Sequence, residues 1–176
     1  IGQGYIQTTP IQLCLMTAQI ANGGYKIYPQ IIVDDNKVHP NDKYTPLFNE
    51  PKNIKIVQDA MFSSTNEVMG TSYRSRIDNP KYQFAGKTGT AQVKKITERD
   101  RELDLKTFEI PYEERDHALY VAFGPYKNPR YALSVIVEHG GNGSTTAAPM
   151  AKKLFKLIID QHKLRESINN KKYMDI

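Results

Sequence analysis

The chain has 176 residues, 39% of them apolar and 10% aromatic, and carries a formal net charge of +5. That length and composition suffice for one globular domain with a packed core; no apolar run approaches the roughly 20 residues that a membrane span needs, and the N-terminus lacks the segments of a signal peptide. The lysines are scattered and no nucleic-acid module accompanies them, so the charge reads as a solvated basic surface and no nucleic-acid partner is expected.

Thr8-Thr9-Pro10 places a capping hydroxyl before a proline at a first helical position, and Ile11, Leu15, Ala18 and Ala21 then recur at helical spacing. The pattern predicts a helix that Asn22-Gly23-Gly24 stops. The single cysteine, Cys14, excludes an internal disulfide and reads as a small buried hydrophobe among Leu13, Leu15 and Met16. Tyr25 to Val33 reads as extended and Asp34 to Pro51 as a proline-bearing loop. A second helix is predicted over Asn53 to Val68, with Ile54, Val57, Met61 and Val68 on its buried side. Tyr82 to Gly86 leads into a glycine-interrupted strand over Lys87 to Val93, and glycine inside a strand marks close approach by another backbone or a ligand. Lys94 to Asp116 is dense in charge, has no sustained apolar period and reads as a long surface excursion. Strands at Ala118 to Phe123 and Tyr131 to Glu138 follow, with Leu119, Val121 and Phe123 alternating on the first and Leu133, Val135 and Val137 on the second; Gly124 to Arg130 joins them as a hairpin. After Gly140-Gly141-Asn142-Gly143, any of Ser144, Thr145 and Thr146 can cap a final helix to about Leu164. Met150, Leu154, Leu157, Ile158 and Gln161 mark the side of that helix expected to cover a sheet. The lysine- and asparagine-rich end reads as frayed, which gives an expected domain at 1–166 and a tail at 167–176.

Gly86-Lys87-Thr88 first suggests a phosphate-binding loop, but that motif needs a glycine five positions earlier, where Lys81 stands, and Tyr82 to Ala85 is strand-like. His39, His117, His139 and His162 show no metal-ligand spacing with one another or with Cys14, so no metal or cofactor is expected. Lys87-Thr88-Gly89 is instead the third signature of the penicillin-recognising serine enzymes, a strand at the lip of the active site. The string Ala85 to Val93 resembles the class B penicillin-binding transpeptidases, as does Ile1-Gly2-Gln3-Gly4-Tyr5 followed by Thr9-Pro10-Ile11-Gln12-Leu13. Asp116-His117-Ala118-Leu119, Ala122 to Tyr126 with Asn128-Pro129, and Glu138-His139-Gly140-Gly141 look like the later strands of the penicillin-binding protein 2 group. About the first 160 residues carry the likeness.

That resemblance implies an α/β transpeptidase fold, an antiparallel sheet flanked by helices, of which this chain holds the C-terminal portion. It implies that the N–H of Thr90 is half of an oxyanion hole, that Lys87 supplies a fixed positive charge, and that Thr88, Gly89 and Thr90 bind the donor peptide along the strand edge. Strict alternation places Lys87 on the face opposite Thr88 and Thr90, so the three converge on one ligand only at a twisted edge. The family's nucleophile is the serine of Ser-x-x-Lys, and that motif occurs nowhere in this chain. Ser64-Thr65-Asn66 matches a second family motif in letters but follows the Gly-Gln-Gly segment instead of preceding it, so Ser64 reads as a helix-end polar residue and the missing motifs are expected upstream. The resemblance further implies a parent D,D-transpeptidase at the periplasmic face of the bacterial inner membrane, held by an N-terminal segment. It would act on stem peptides ending in D-Ala-D-Ala, be acylated by β-lactams, and work with a membrane glycan polymerase and elongation scaffold proteins. A serine β-lactamase or β-lactam sensor of the same fold, and a non-catalytic interaction module, are the alternative readings. The Gly2-Gln3-Gly4 and Thr9-Pro10-Ile11-Gln12 block argues against the first; the second is compatible with a chain that has no nucleophile.

Overall fold

The structure, a computed structural model, describes residues 6–31, 45–94 and 105–174. The first helix, α1 (Pro10–Ala21), begins as its sequence dictates: the Thr9 hydroxyl accepts from the Gln12 N–H at 3.3 Å, and the Gln12 side chain accepts from the Thr9 N–H at 2.8 Å. Gly23 and Gly24, both at positive φ, turn the chain out of the helix. Of the segment predicted as extended, only Tyr25 pairs, with Pro46, among the described residues; positions 34–44 of the predicted loop lie outside them.

Helix α2 (Pro51–Asn66) buries Ile54 and Met61. The other two residues assigned to its buried side are exposed: Val57 at 41%, and Val68, beyond the helix end, at 74%. The helix has a narrower apolar stripe than that pattern assumed. It stops at Asn66 because the chain turns back over its last turn, where the Ser72 N–H donates to the Ser64 carbonyl at 3.0 Å.

Strands β1 (Ala85–Ala91), β2 (His117–Gly124) and β3 (Tyr131–Val137) form an antiparallel sheet in the order β1-β2-β3. In register, Lys87 faces Val121, Thr88 faces Tyr120 and Gly89 faces Leu119. Because side chains alternate across a sheet, Ala85, Lys87 and Gly89 share a face with Phe123, Val121 and Leu119. On that side Ala85 and Phe123 pack with Met61 of α2 and with Ile20 and Ala21 of α1. Cys14 rests over β3, its thiol 3.5 Å from the Ala132 carbonyl, and burial pushes the thiol pKa up.

A final helix, α3 (Ala148–Met174), covers the opposite face and runs past the end expected near Leu164. Its first turn is a π-helical segment, Gly143–Ala147, and the Asn142 side chain supplies the cap by accepting from the Ser144 N–H at 2.8 Å. The stripe facing the sheet is Ala147, Ala148, Ala151, Phe155 and Ile159. Met150, Leu154 and Leu157, expected there, are 46%, 42% and 58% exposed. Alanines let the helix approach closely, and Phe155 stacks on Phe84 at 4.9 Å between ring centroids. The same close approach selects Ala118, Tyr120 and Ala122 as the buried row of β2, while Leu119 and Val121 stay half-buried on the other face.

Candidate active site

The strand carrying Lys87, Thr88, Gly89 and Thr90 is an edge of the sheet, and its backbone polarity determines what that edge offers. The Gln83 carbonyl accepts from the Tyr126 N–H at 2.8 Å, toward the β2–β3 hairpin. The Phe84 and Gly86 carbonyls instead accept from α2, from the Asn66 amide at 2.9 Å and the Thr65 hydroxyl at 3.4 Å. Alternation along a strand then turns the N–H and C=O groups of Thr88 and Thr90 away from β2. Helix α2 covers the edge at Phe84 and Gly86 and ends at Asn66. From Thr88 onward the edge has the polarity that an added extended peptide requires.

Lys87 and Thr88 leave the strand on opposite faces, yet their polar ends meet. The exposed Lys87 ammonium donates to the Thr88 carbonyl at 2.9 Å and to the Thr88 hydroxyl at 3.3 Å. The long stem folds over the edge, which brings a cation, a hydroxyl and a backbone carbonyl into one corner without any break in alternation. Thr90 stands exposed two residues on. At Gly89 a side chain would begin 3.2 Å from the Leu119 Cβ, so the backbone there approaches its cross-strand neighbour closely.

Two hydroxyls not assigned from the sequence complete this corner. The Thr71 hydroxyl oxygen lies 3.5 Å from that of Thr88 and 3.2 Å from that of Ser64. Ser64, read as a plain helix-end residue, is thereby tied to the strand. Gly70-Thr71-Ser72 signals only a turn in the sequence, so nothing there points to this contact. Beneath Gly86 lies a second cluster: the buried Tyr120 phenol lies 2.9 Å from the Thr65 hydroxyl and 3.0 Å from that of Ser72. Burial raises the Tyr120 pKa, opposed by these two hydrogen bonds, and the group is a neutral structural partner at physiological pH.

At the far end of β1, His117 and His139 meet although 22 residues separate them: the His139 N–H donates to His117 Nδ1 at 2.9 Å, with His139 at a φ of 54°. The Ile1 to Tyr5 block lies outside the described residues.

The penicillin binding protein transpeptidase domain family matches residues 1–156. Peptidoglycan D,D-transpeptidase MrdA of Salmonella typhimurium is 34% identical over 168 residues, covering 91% of this chain and 26% of that protein, and its Haemophilus influenzae counterpart is 32% identical over 167 residues, covering 92% and 25%. Among solved structures, Pseudomonas aeruginosa PBP2 in complex with WCK 5153 aligns with a TM-score of 0.66 at 36% identity, over 89% of this chain and 32% of that one. The Helicobacter pylori complex of PBP2 with MreC aligns with a TM-score of 0.69 at 30% identity, over 92% of this chain and 26% of that one. The chain thus spans about a quarter of the length of the curated relatives it matches. With a family match over most of its length and an antiparallel sheet between helices whose edge strand carries Lys87-Thr88-Gly89-Thr90, the chain belongs to the penicillin-binding protein transpeptidase domain family.

Proposed function

We propose that this chain is the substrate-strand portion of a peptidoglycan D,D-transpeptidase of the penicillin-binding protein 2 type. The observation that carries the reading is the corner formed by Lys87 and Thr88 at an outward-facing strand edge, in a chain of this family. The donor stem peptide, ending in D-Ala-D-Ala, lies along β1 as an added strand, with its terminal carboxylate at the hydroxyls of Thr88 and Thr90 and the ammonium of Lys87. A serine elsewhere in the full-length protein attacks the penultimate carbonyl carbon, and the Thr90 N–H stabilises the oxyanion. The terminal D-Ala leaves as the free amine, and an acceptor amine then displaces the serine from the acyl carbon, which cross-links two stem peptides. A β-lactam enters the same corner because it carries an acyl bond and a carboxylate at matching places. Residues 1–166 form the C-terminal part of one domain, with 167–176 as its tail. The full-length protein works at the periplasmic face of the inner membrane with a glycan polymerase and a scaffold protein; the solved PBP2–MreC complex supports the scaffold partner.

The test is acylation of the full-length protein by a fluorescent penicillin. Lys87→Ala should slow it at least thirtyfold with the melting temperature kept, since one well-placed electrostatic contact is worth about 2–4 kcal/mol of barrier. Arginine at this position should restore only part of the rate, because a planar fork does not reproduce a compact ammonium. A rate within threefold of wild type for Lys87→Ala would remove Lys87 from the reaction.

A further inference from the structure

Next to the Thr88 edge opens a groove of about 990 Å³ between the segment after α2 and the first turns of α3. Its walls carry Arg74, Arg76, Lys152, Lys153 and Lys156, and Thr71 sits where the groove meets Thr88. Asp78 is the one carboxylate among the residues lining it, and it is held by Arg76 at 2.9 Å. Asp160, one turn beyond Lys156, accepts from the Tyr82 hydroxyl. Arg74, Lys152, Lys153 and Lys156 have no carboxylate within ion-pair distance among the described residues.

Such an arrangement costs stability in the free protein. Lys152 and Lys156 are like charges one helical turn apart, and Lys153 and Lys156 are three residues apart, spacings at which like charges repel. An anionic ligand relieves that repulsion and gains from all of the cations at once. The groove is continuous with the substrate strand, because the Thr71 hydroxyl on its wall lies 3.5 Å from the Thr88 hydroxyl. Its volume accommodates a few residues of peptide.

We propose that this groove binds the carboxylate-bearing body of the peptide whose reacting end lies on β1, so that the enzyme selects stem peptides with free side-chain or α-carboxylates over their amidated forms. The inference rests on the transpeptidase reading above and adds a second, electrostatic recognition site to it. The Thr88 corner holds the terminal carboxylate of the peptide, while the groove reads acidic groups farther from the reacting bond.

The experiment measures equilibrium binding to the full-length protein, by fluorescence anisotropy, of a labelled stem peptide with free carboxylates and of the same peptide with its internal carboxylates amidated. Wild type should bind the acidic peptide at least tenfold more tightly, and raising the salt from about 0.05 to 0.5 M should erase most of that preference by screening. Lys153→Glu with Lys156→Glu should abolish the preference, and Lys153→Gln with Lys156→Gln should reduce it by a smaller factor; melting temperatures confirm that both variants are folded. Equal affinity of wild type for the two peptides, or a preference that survives charge reversal, would overturn the proposal. Tighter binding of inorganic polyphosphate than of the acidic peptide would also overturn it, by assigning the groove to a phosphate polymer. Penicillin acylation of wild type reports separately on the corner at Lys87, so a failure of the catalytic reading is told apart from a failure of the groove.

Discussion

Gly86 precedes the signature lysine, and its requirement for glycine is steric. A Cβ there would lie 2.3 Å from the Tyr120 hydroxyl oxygen and 2.5 Å from the ring carbon that bears it. The missing side chain lets the Tyr120 ring pass under β1 to Thr65 and Ser72, which ties α2 and the following turn to the sheet just where the site edge begins. Gly86→Ala must therefore displace a fully buried ring and strand its hydroxyl. The expected cost is about 2–4 kcal/mol, from overpacking together with an unsatisfied buried polar group. Urea unfolding of the full-length protein measures it. The Gly86→Ala and Tyr120→Leu effects should also be non-additive, with a coupling above about 1 kcal/mol, because both act on one contact. Simple additivity would show that Gly86 is required for some other reason. By comparison, the approach at Gly89, 3.2 Å to Leu119, is one that a neighbour can yield to.

The crossover from β3 into α3 sets how the helix meets the site strand. A Cβ on Gly143 would lie 2.5 Å from the Leu119 carbonyl oxygen and 2.7 Å from that of Gly89, so the first turn of the helix rests directly on the backbone of β1 and β2. Backbone cannot move aside as a flexible side chain can. Gly143→Ala should lower the melting temperature of the full-length protein and slow penicillin acylation, since the strand must shift at Gly89. Thr9→Ala, which removes only an exposed helix cap, should cost about 1 kcal/mol and leave acylation unchanged. Equal effects of the two changes on acylation would separate the crossover from the site. Sequence reading found the capped start of α1, the β2–β3 hairpin and the signature strand, because each depends on local signals: a hydroxyl before proline, a glycine-proline turn, and a short motif. It misplaced the buried face of α3 because hydrophobicity alone favours Met150, Leu154 and Leu157, whereas the sheet accepts a face of alanines around Phe155. Thr71, Ser72 and Tyr120 could not be assigned to the site region for a different reason. Their partners lie 17, 7 and 55 residues away, and no periodicity within one element encodes such contacts.

At the scale of the whole chain, the proposed function assigns binding geometry to the β1 edge and leaves the bond-making serine to another part of the full-length protein. On the proposed reading the strand edge, the ammonium of Lys87 and the hydroxyls of Thr71, Thr88 and Thr90 position an acyl donor, but positioning alone forms no covalent bond. An acyl-enzyme needs a hydroxyl made nucleophilic by a nearby base. Of the serines in the described residues, Ser64 comes nearest to that requirement, through Thr71 and Thr88 to the Lys87 ammonium. That ammonium donates to the Thr88 oxygens and is linked to Ser64 only through the Thr88 and Thr71 hydroxyls, so it does not reach the Ser64 hydroxyl to take its proton. Ser64 should accordingly remain unacylated. The 176-residue chain, incubated with excess penicillin and analysed by intact-mass spectrometry, should show no stoichiometric adduct, whereas the full-length protein should gain the mass of one penicilloyl group. If the chain itself gains that mass and peptide mapping places it on Ser64, then the hydroxyl chain through Thr71 is a catalytic relay and the chain makes the covalent bond itself. Loss of the adduct in Ser64→Ala would complete that reversal.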